Sequence, residues 1–293
     1  MIHSLPYCLN VLRATDRDRY ISVLFAPKEK RRALAALYAF NAEITRVRES
    51  VHDPFIGELR LRWWYDAIAN GEMHNSTSNP ILNDLFTAIT SFNLPKTALL
   101  HYCDAQILDI YHNPIATIDD LKSYFVKTAS IILQLSCQIL DSNAAQNFTD
   151  ACKHGGIAQG LSGVLRLVSF MRPRYQYYFP IDMLKALGVD REELEFNRVN
   201  REKKRCIIEA MVALSRDHYI KFYNHSIALP KTVRTAFLPL VIMPASLEKA
   251  IELGEKVFQE NATLPLLYRY WLITKAAMTK NFPKCYKEKR EYL

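Results

Sequence analysis

The chain has 293 residues, 49% of them hydrophobic and 23% charged, with 8 glycines and 16 tyrosines. This is a globular composition with no Pro/Gly/Ser-rich linker, charge block or repeat, so it excludes a disordered chain and reads as one domain over residues 1–293. The net charge of +8 either suits anionic partners such as phosphates and lipid head groups or is a dispersed solubilising charge; without a DNA- or RNA-binding motif, no nucleic-acid partner is expected.

The apolar residues between positions 5 and 12 are few and give way to Arg13 and Asp16-Arg17-Asp18-Arg19, so no signal peptide is expected. Nor does any run approach the roughly 20 apolar residues of a spanning helix; residues 238–245 are short and hold two prolines. The expected location is cytoplasmic, with at most peripheral contact with a membrane. Six dispersed cysteines without a Cys-x-x-Cys pair read as reduced thiols, and Cys152 with His154 is too small a set for structural zinc.

Pro27 opens a predicted helix whose apolar residues Ala33, Leu37, Phe40, Ile44, Val47 and Val51 form one buried seam. Beside it, Leu34, Tyr38, Asn41, Thr45 and Arg48 turn from apolar to polar, as befits a helix lining a pocket open at one end. A helix over 55–69 follows Pro54 and stops at Asn70-Gly71 by left-handed cap chemistry. Further helices are predicted over 80–91, 95–111, 121–140 and 144–170. Thr117-Ile118-Asp119-Asp120 reads as a capping box, which accounts for that acidic pair without a metal. After Pro180 a short helix runs to Leu187 and stops at Gly188, followed by helices over 201–228, 239–260 and 265–280. Strand-type alternation is nowhere sustained, so the fold class is all-α, a bundle of roughly a dozen helices.

Two segments carry a family resemblance. Leu37-Tyr38-Ala39-Phe40-Asn41-Ala42-Glu43-Ile44-Thr45-Arg46-Val47-Arg48-Glu49 and Gly156-Ile157-Ala158-Gln159-Gly160-Leu161-Ser162-Gly163-Val164-Leu165-Arg166-Leu167-Val168-Ser169-Phe170-Met171 resemble the two helical motifs of the squalene/phytoene synthase family. The resemblance runs over about residues 16–187, including Arg31-Arg32, and implies an isoprenoid-synthase-type bundle around a central cavity. In active members the first segment leads into Asp-Asp-x-x-Asp, and the second, ending in Leu-Arg-Asp, leads into Glu-Asp and then Tyr-Leu-Pro. Here the first cluster falls on Thr45, Arg46 and Glu49 and the second on Leu167, Phe170 and Met171, with Tyr178-Phe179-Pro180 downstream. One acid is left. Phe40-Asn41-Ala42-Glu43, residues 57–64 and residues 154–160 also resemble a branch of that family, one containing a mitochondrial assembly factor of respiratory complex I and its alphaproteobacterial relatives. That branch shares the missing acids, and the resemblance implies a partner in complex I assembly.

Magnesium neutralises prenyl diphosphates through hard oxygen ligands, which is why such enzymes carry acids one helical turn apart. Arg46 would instead repel it, by about 4 kcal/mol at about 4 Å for unit charges in an effective dielectric near 20. An arginine fork grips phosphate without metal. The expected ligand-binding set is therefore Tyr38, Asn41, Thr45, Arg48, Gly160, Gly163 and Arg166, with Arg46, Arg60 and Arg62 binding an anion and no metal site. Gly156, Gly160, Gly163, Leu167 and Phe170 share one helix face, so the glycines admit either a neighbouring helix or a ligand chain. Arg172 and Arg174 add charge at the mouth or are surface arginines, and Trp63-Trp64 form an interface anchor or part of the core. Asp104 and Asp109 lie about 140° apart on one helix and make no acid pair by themselves. His101, His112, His218 and His225 show no ligand spacing.

The expected function is a non-catalytic or altered family-like protein that binds a lipid-like or prenyl-like anion, a complex I partner, or both, with no cofactor. The alternative is a working prenyltransferase that condenses prenyl diphosphates with magnesium. A third reading is a lipid carrier.

Overall fold

The computed structural model describes residues 6–51, 53–71, 79–111, 113–169 and 178–285, and among them every regular element is helical. Two helices, α1 (Tyr7–Thr15) and α2 (Arg17–Leu24), precede the first one expected from the sequence. They meet at Asp16, whose carboxylate accepts the Arg19 N–H at 3.0 Å and caps α2. Frequent charges in residues 13–19 had masked their apolar face, which buries Cys8, Leu9, Leu12 and Val23.

The long helix α3 (Lys28–Ser50) starts just after Pro27, which holds the extended entry at φ −55° and ψ 141°. Its expected seam is buried from Ala33 through Val47. Both α4 (Pro54–Asn70) and α5 (Pro80–Phe92) carry proline in the first turn and an acceptor side chain ahead of it, Asp53 and Asn79. Gly71, at φ 64°, and Asn93, at φ 48°, end them in the left-handed region. Helix α6 (Lys96–Ile110) packs on α4, while α5 packs on α3.

The stretch expected as one helix over 121–140 is divided. Thr117 and Asp120 form the capping box of α7 (Ile118–Phe125), residues Val126–Ser130 widen into a π-helical turn, and α8 (Ile131–Leu140) continues. The helix expected over 144–170 is also shorter: a single turn, α9 (Ser142–Ala145), and a 3-10 turn precede α10 (Thr149–Leu167). Phe170, Met171, Arg172 and Arg174 lie outside the described residues, as does His112.

Downstream come α11 (Ile181–Ala186), α12 (Arg191–Glu195) and α13 (Arg201–Ser226), the last packed along α10. The helix expected over 239–260 is broken. Pro239 lies inside a 3-10 segment, Arg234–Ile242, where its missing N–H and its ring are tolerated, and α14 (Met243–Leu253) begins beyond it. The last described helix is α15 (Leu266–Thr279).

Two hydrophobic cores result. The larger gathers α1 to α6, α8, the 3-10 segment and part of α15 around the buried seam of α3. The other joins α7, the second half of α10, α11 to α13 and α14. Helices α3 and α10 face each other where these cores meet, and a cavity opens between them.

Candidate functional site: an arginine-lined cavity

The cavity measures about 840 Å³, within the range of small-molecule pockets. α3 contributes Asn41, Thr45, Arg46 and Arg48, and α10 contributes Gln159, Gly160, Gly163, Val164, Arg166 and Leu167. The junction of α1 and α2 supplies Asp16 to Arg19, the π-turn region Tyr124, Phe125, Thr128 and Ala129, and the far side Ile242, Met243, Leu266 and Arg269. Six of these residues are arginines, at positions 17, 19, 46, 48, 166 and 269, against two aspartates, Asp16 and Asp18.

The glycines of α10 serve two purposes. A Cβ on Gly156 would strike the Ser130 backbone at 2.4 Å, and one on Gly160 would meet the Phe125 ring at 2.1 Å. Those two are where the π-turn lies against α10; Ser130 also donates its hydroxyl to the Lys153 carbonyl at 3.0 Å. Around Gly163 nothing lies within 4 Å, so that position leaves open volume in the cavity.

Five charged groups, Asp16, Asp18, Arg19, Arg166 and Arg269, organise the polar end. Asp18, only 8% exposed, accepts from Arg269 Nη1 at 2.9 Å. Burial raises its pKa, and the charges of Arg269 and Arg166 partly offset that. Arg19 pairs with Asp16 at 3.3 Å and stands over the Tyr38 ring, 5.1 Å from its centroid. Arg166, at the end of α10, has its pKa pushed down by burial and pulled up by Asp18 and Asp16. Among the shielded polar atoms of cavity-lining residues, Asp18 Oδ1, Gln159 Oε1, Arg166 Nε and Arg269 Nε make no hydrogen bond. A buried polar atom without a partner costs on the order of 1–3 kcal/mol, so a polar group entering here would recover it.

On the opposite side Arg48 Nη1 meets Asp109 Oδ2 at 2.7 Å, and the same oxygen accepts from Tyr178 at 2.6 Å and Tyr124 at 3.0 Å. The Arg48 guanidinium also lies 4.8 Å from the Tyr178 ring centroid. Burial and the Asp109 charge together hold both phenols well above their usual pKa, so they stay neutral donors.

Of the residues singled out from the sequence, Asn41, Thr45, Arg46, Arg48, Gly160, Gly163, Arg166 and Leu167 line the cavity. Tyr38 stands behind the lining, 2% exposed beneath Arg19. Glu49 falls in the last turn of α3. Thr45 gives its hydroxyl to the Asn41 carbonyl at 2.9 Å. Arg60 borders a separate groove that Arg46, Leu59, Trp63 and Trp64 also line, and Arg62 is turned to Glu58 at 3.2 Å. Trp64 is core and Trp63 is exposed. Asp109 makes no acid pair with Asp104 but anchors Arg48 from a neighbouring helix, a partnership that spacing within one helix does not reveal. Asp16, Asp18, Arg19 and Arg269 also went unassigned in the sequence; the alternation of charges in residues 16–19 was the available signal. Among the described residues no three His, Cys, Asp or Glu side chains converge as metal ligands would.

A family model described as squalene/phytoene synthase matches residues 12–268. The chain belongs to that family. Within this family it is similar to "NADH dehydrogenase (ubiquinone) complex I, assembly factor 6" of Rattus norvegicus, 29% identical over 89% of this chain and 79% of the relative. The Homo sapiens protein of the same name is also 29% identical, over 90% and 80%. A phytoene synthase of Thermus thermophilus is 28% identical over 65% of this chain and 64% of its own. Among solved structures, a dehydrosqualene synthase in complex with ligand superposes with a TM-score of 0.76 at 16% identity, covering 94% of this chain and 95% of the other. A squalene synthase from Alicyclobacillus acidocaldarius gives 0.69 at 18% identity over 84% and 92%. These superpositions establish an isoprenoid-synthase fold.

Proposed function

We propose that this squalene/phytoene synthase family member binds an anionic amphiphile in the cavity and acts in the assembly of respiratory complex I rather than in prenyl condensation. The observation that carries the reading is the charge of the cavity lining: six arginines face two aspartates, and both aspartates are already ion-paired.

Such a lining does not suit the magnesium that prenyl condensation in this family implies. Octahedral magnesium takes several carboxylate or phosphate oxygens. Thr45 commits its hydroxyl proton to α3, Arg46 is a cation at the cavity edge, and Leu167 is apolar. The chain's own residues instead offer direct recognition: Arg166 and Arg269 present guanidinium edges with an unbonded Nε, and charge-assisted bonds from such groups to phosphate are about twice as strong as neutral ones. Gly163, Val164, Ile242 and Met243 add apolar lining that suits a hydrocarbon tail. Similarity to proteins named complex I assembly factor 6 over most of both chains supports the assembly role. We place the protein in the cytoplasm.

A second reading, condensation of prenyl diphosphates by a different ligand set, has the similarity to a phytoene synthase and the size of the cavity in its favour. Incubation with labelled farnesyl or geranylgeranyl diphosphate and magnesium separates the two: no C30 or C40 product is expected, and turnover overturns the non-catalytic reading. Native mass spectrometry should then show a copurifying anionic lipid. Loss of NADH:quinone activity in a deletion strain tests the assembly role, and intact complex I in that strain removes it.

A further inference from the structure

The wall of the cavity formed by α15 has a second, outward face. Leu266 and Arg269 point to the cavity, while Ile273 and Ala276 are buried against the fold. On the other side Leu267, Trp271 and Met278 are 80%, 52% and 74% exposed and fall within about 40° of one another around the helix. Tyr268 stacks on Trp271 with ring centroids 5.8 Å apart, and the Lys275 ammonium sits 4.7 Å from the Trp271 ring centroid.

The charges decide what such a face fits. From residue 261 to residue 285 there is no Asp or Glu, while Arg269, Lys275, Lys280 and Lys284 are cationic and the three lysines are exposed. A second exposed apolar stripe among the described residues, Phe55, Ile56, Leu59 and Trp63 on α4, differs in this respect. It is interleaved with Glu58, Arg60 and Arg62 and flanked by Asp53 and Asp66, so its three acids nearly cancel against its two arginines. A negatively charged surface would therefore gain little from α4 and be attracted to α15, where residues 261–285 hold four cations and no acid.

We propose that the outward face of α15 is a docking surface for an anionic membrane. Leu267, Trp271 and Met278 enter the boundary between head groups and acyl chains. Lys275 keeps its stem along the indole and its ammonium among the phosphates. Because no described helix is long and apolar enough to cross a membrane, binding through this face is peripheral and salt-sensitive. It also brings the Leu266 and Arg269 wall of the cavity next to the bilayer, on the side from which an amphiphile would arrive.

The test is flotation of the full chain with phosphatidylcholine vesicles, with or without roughly a third phosphatidylglycerol. Wild type should float with the anionic vesicles only, with a blue shift of tryptophan emission, and should detach in high salt. Lys275→Ala should weaken this about fivefold, the effect of one lysine near an anionic surface. L267S/W271S/M278S should abolish it with the helical far-UV circular dichroism unchanged, since all three side chains are exposed, whereas L59S/W63S on α4 should bind as wild type. The proposal is overturned if wild type ignores anionic vesicles, if the α15 triple variant still floats, or if the α4 variant is the one that fails. It is equally overturned if the α15 substitutions change only the oligomeric mass, which would make the stripe a contact between copies. None of these outcomes depends on what the cavity binds.

Discussion

Arg48 and Asp109, 61 residues apart in sequence, join α3 to α6 by an ion pair of 2.7 Å whose two side chains are 10% and 13% exposed. Two phenols share the carboxylate, so this one acid fixes three cavity-facing groups.

Removing one partner of a shielded pair strands the other charge, which typically costs about 3–5 kcal/mol. Asp109→Ala should therefore lower unfolding stability by about 3 kcal/mol, read from urea midpoints. Asp109→Leu with Arg48→Met should cost clearly less than the sum of the single changes. An additive double variant would show that the pair is not coupled.

The two glycines of α10 should part company. Gly160→Ala drives a methyl into the Phe125 ring and should destabilise by about 1–3 kcal/mol, the usual cost of overpacking. Gly163→Ala has free space, so it should leave stability unchanged or raise it by up to about 1 kcal/mol through helix propensity. Equal melting temperatures for the two variants would contradict the assignment of open volume at Gly163.

Arg166→Met should weaken binding of an anionic amphiphile by roughly tenfold or more, the worth of a charge-assisted hydrogen bond. Thermal stability should hold or rise, because burial penalises this arginine's charge and leaves its Nε without a hydrogen bond. Titration calorimetry with a prenyl diphosphate in the absence of metal reads the first effect, and thermal unfolding reads the second. Undiminished affinity would remove Arg166 from the site.

Acid should destabilise the protein through a histidine cluster away from the cavity. His154 and His218 place their Nδ1 atoms 2.9 Å apart, and His225 stacks on His154. Burial, then the charges of His154 and Lys221, hold the His218 pKa down to about 4, with Asp217 opposing. The unfolded chain takes up this proton near pH 6.5 and the folded one near pH 4, so stability is lost as pH falls through that window. Denaturant midpoints should decline from pH 7 to pH 5, and His218→Asn should flatten the decline. A wild-type midpoint that does not change over that range would refute the assignment.

Much of the fold was legible. The seam from Ala33 to Val47, the capping box at Thr117 and the left-handed stop at Gly71 depend on interactions within about one helical turn, and the structure shows all three. The divided helices were not legible for the opposite reason. The π-turn at Val126–Ser130 lets Phe125 and Ser130 meet Gly160 and Gly156 of another helix, and nothing local to residues 121–140 announces that.

The sequence by itself determined the all-α class, the family and the shortage of acids at the two motif positions, because helix periodicity and motif spacing are properties of neighbouring residues. Only the tertiary structure decided that the cavity between α3 and α10 is open, that Asp18 pairs with Arg269 251 residues away, and that Asp109 neutralises Arg48. Charge pairs of that kind form wherever packing removes water from two groups at once, and which groups those are is fixed by the meeting of helices, not by their order along the chain.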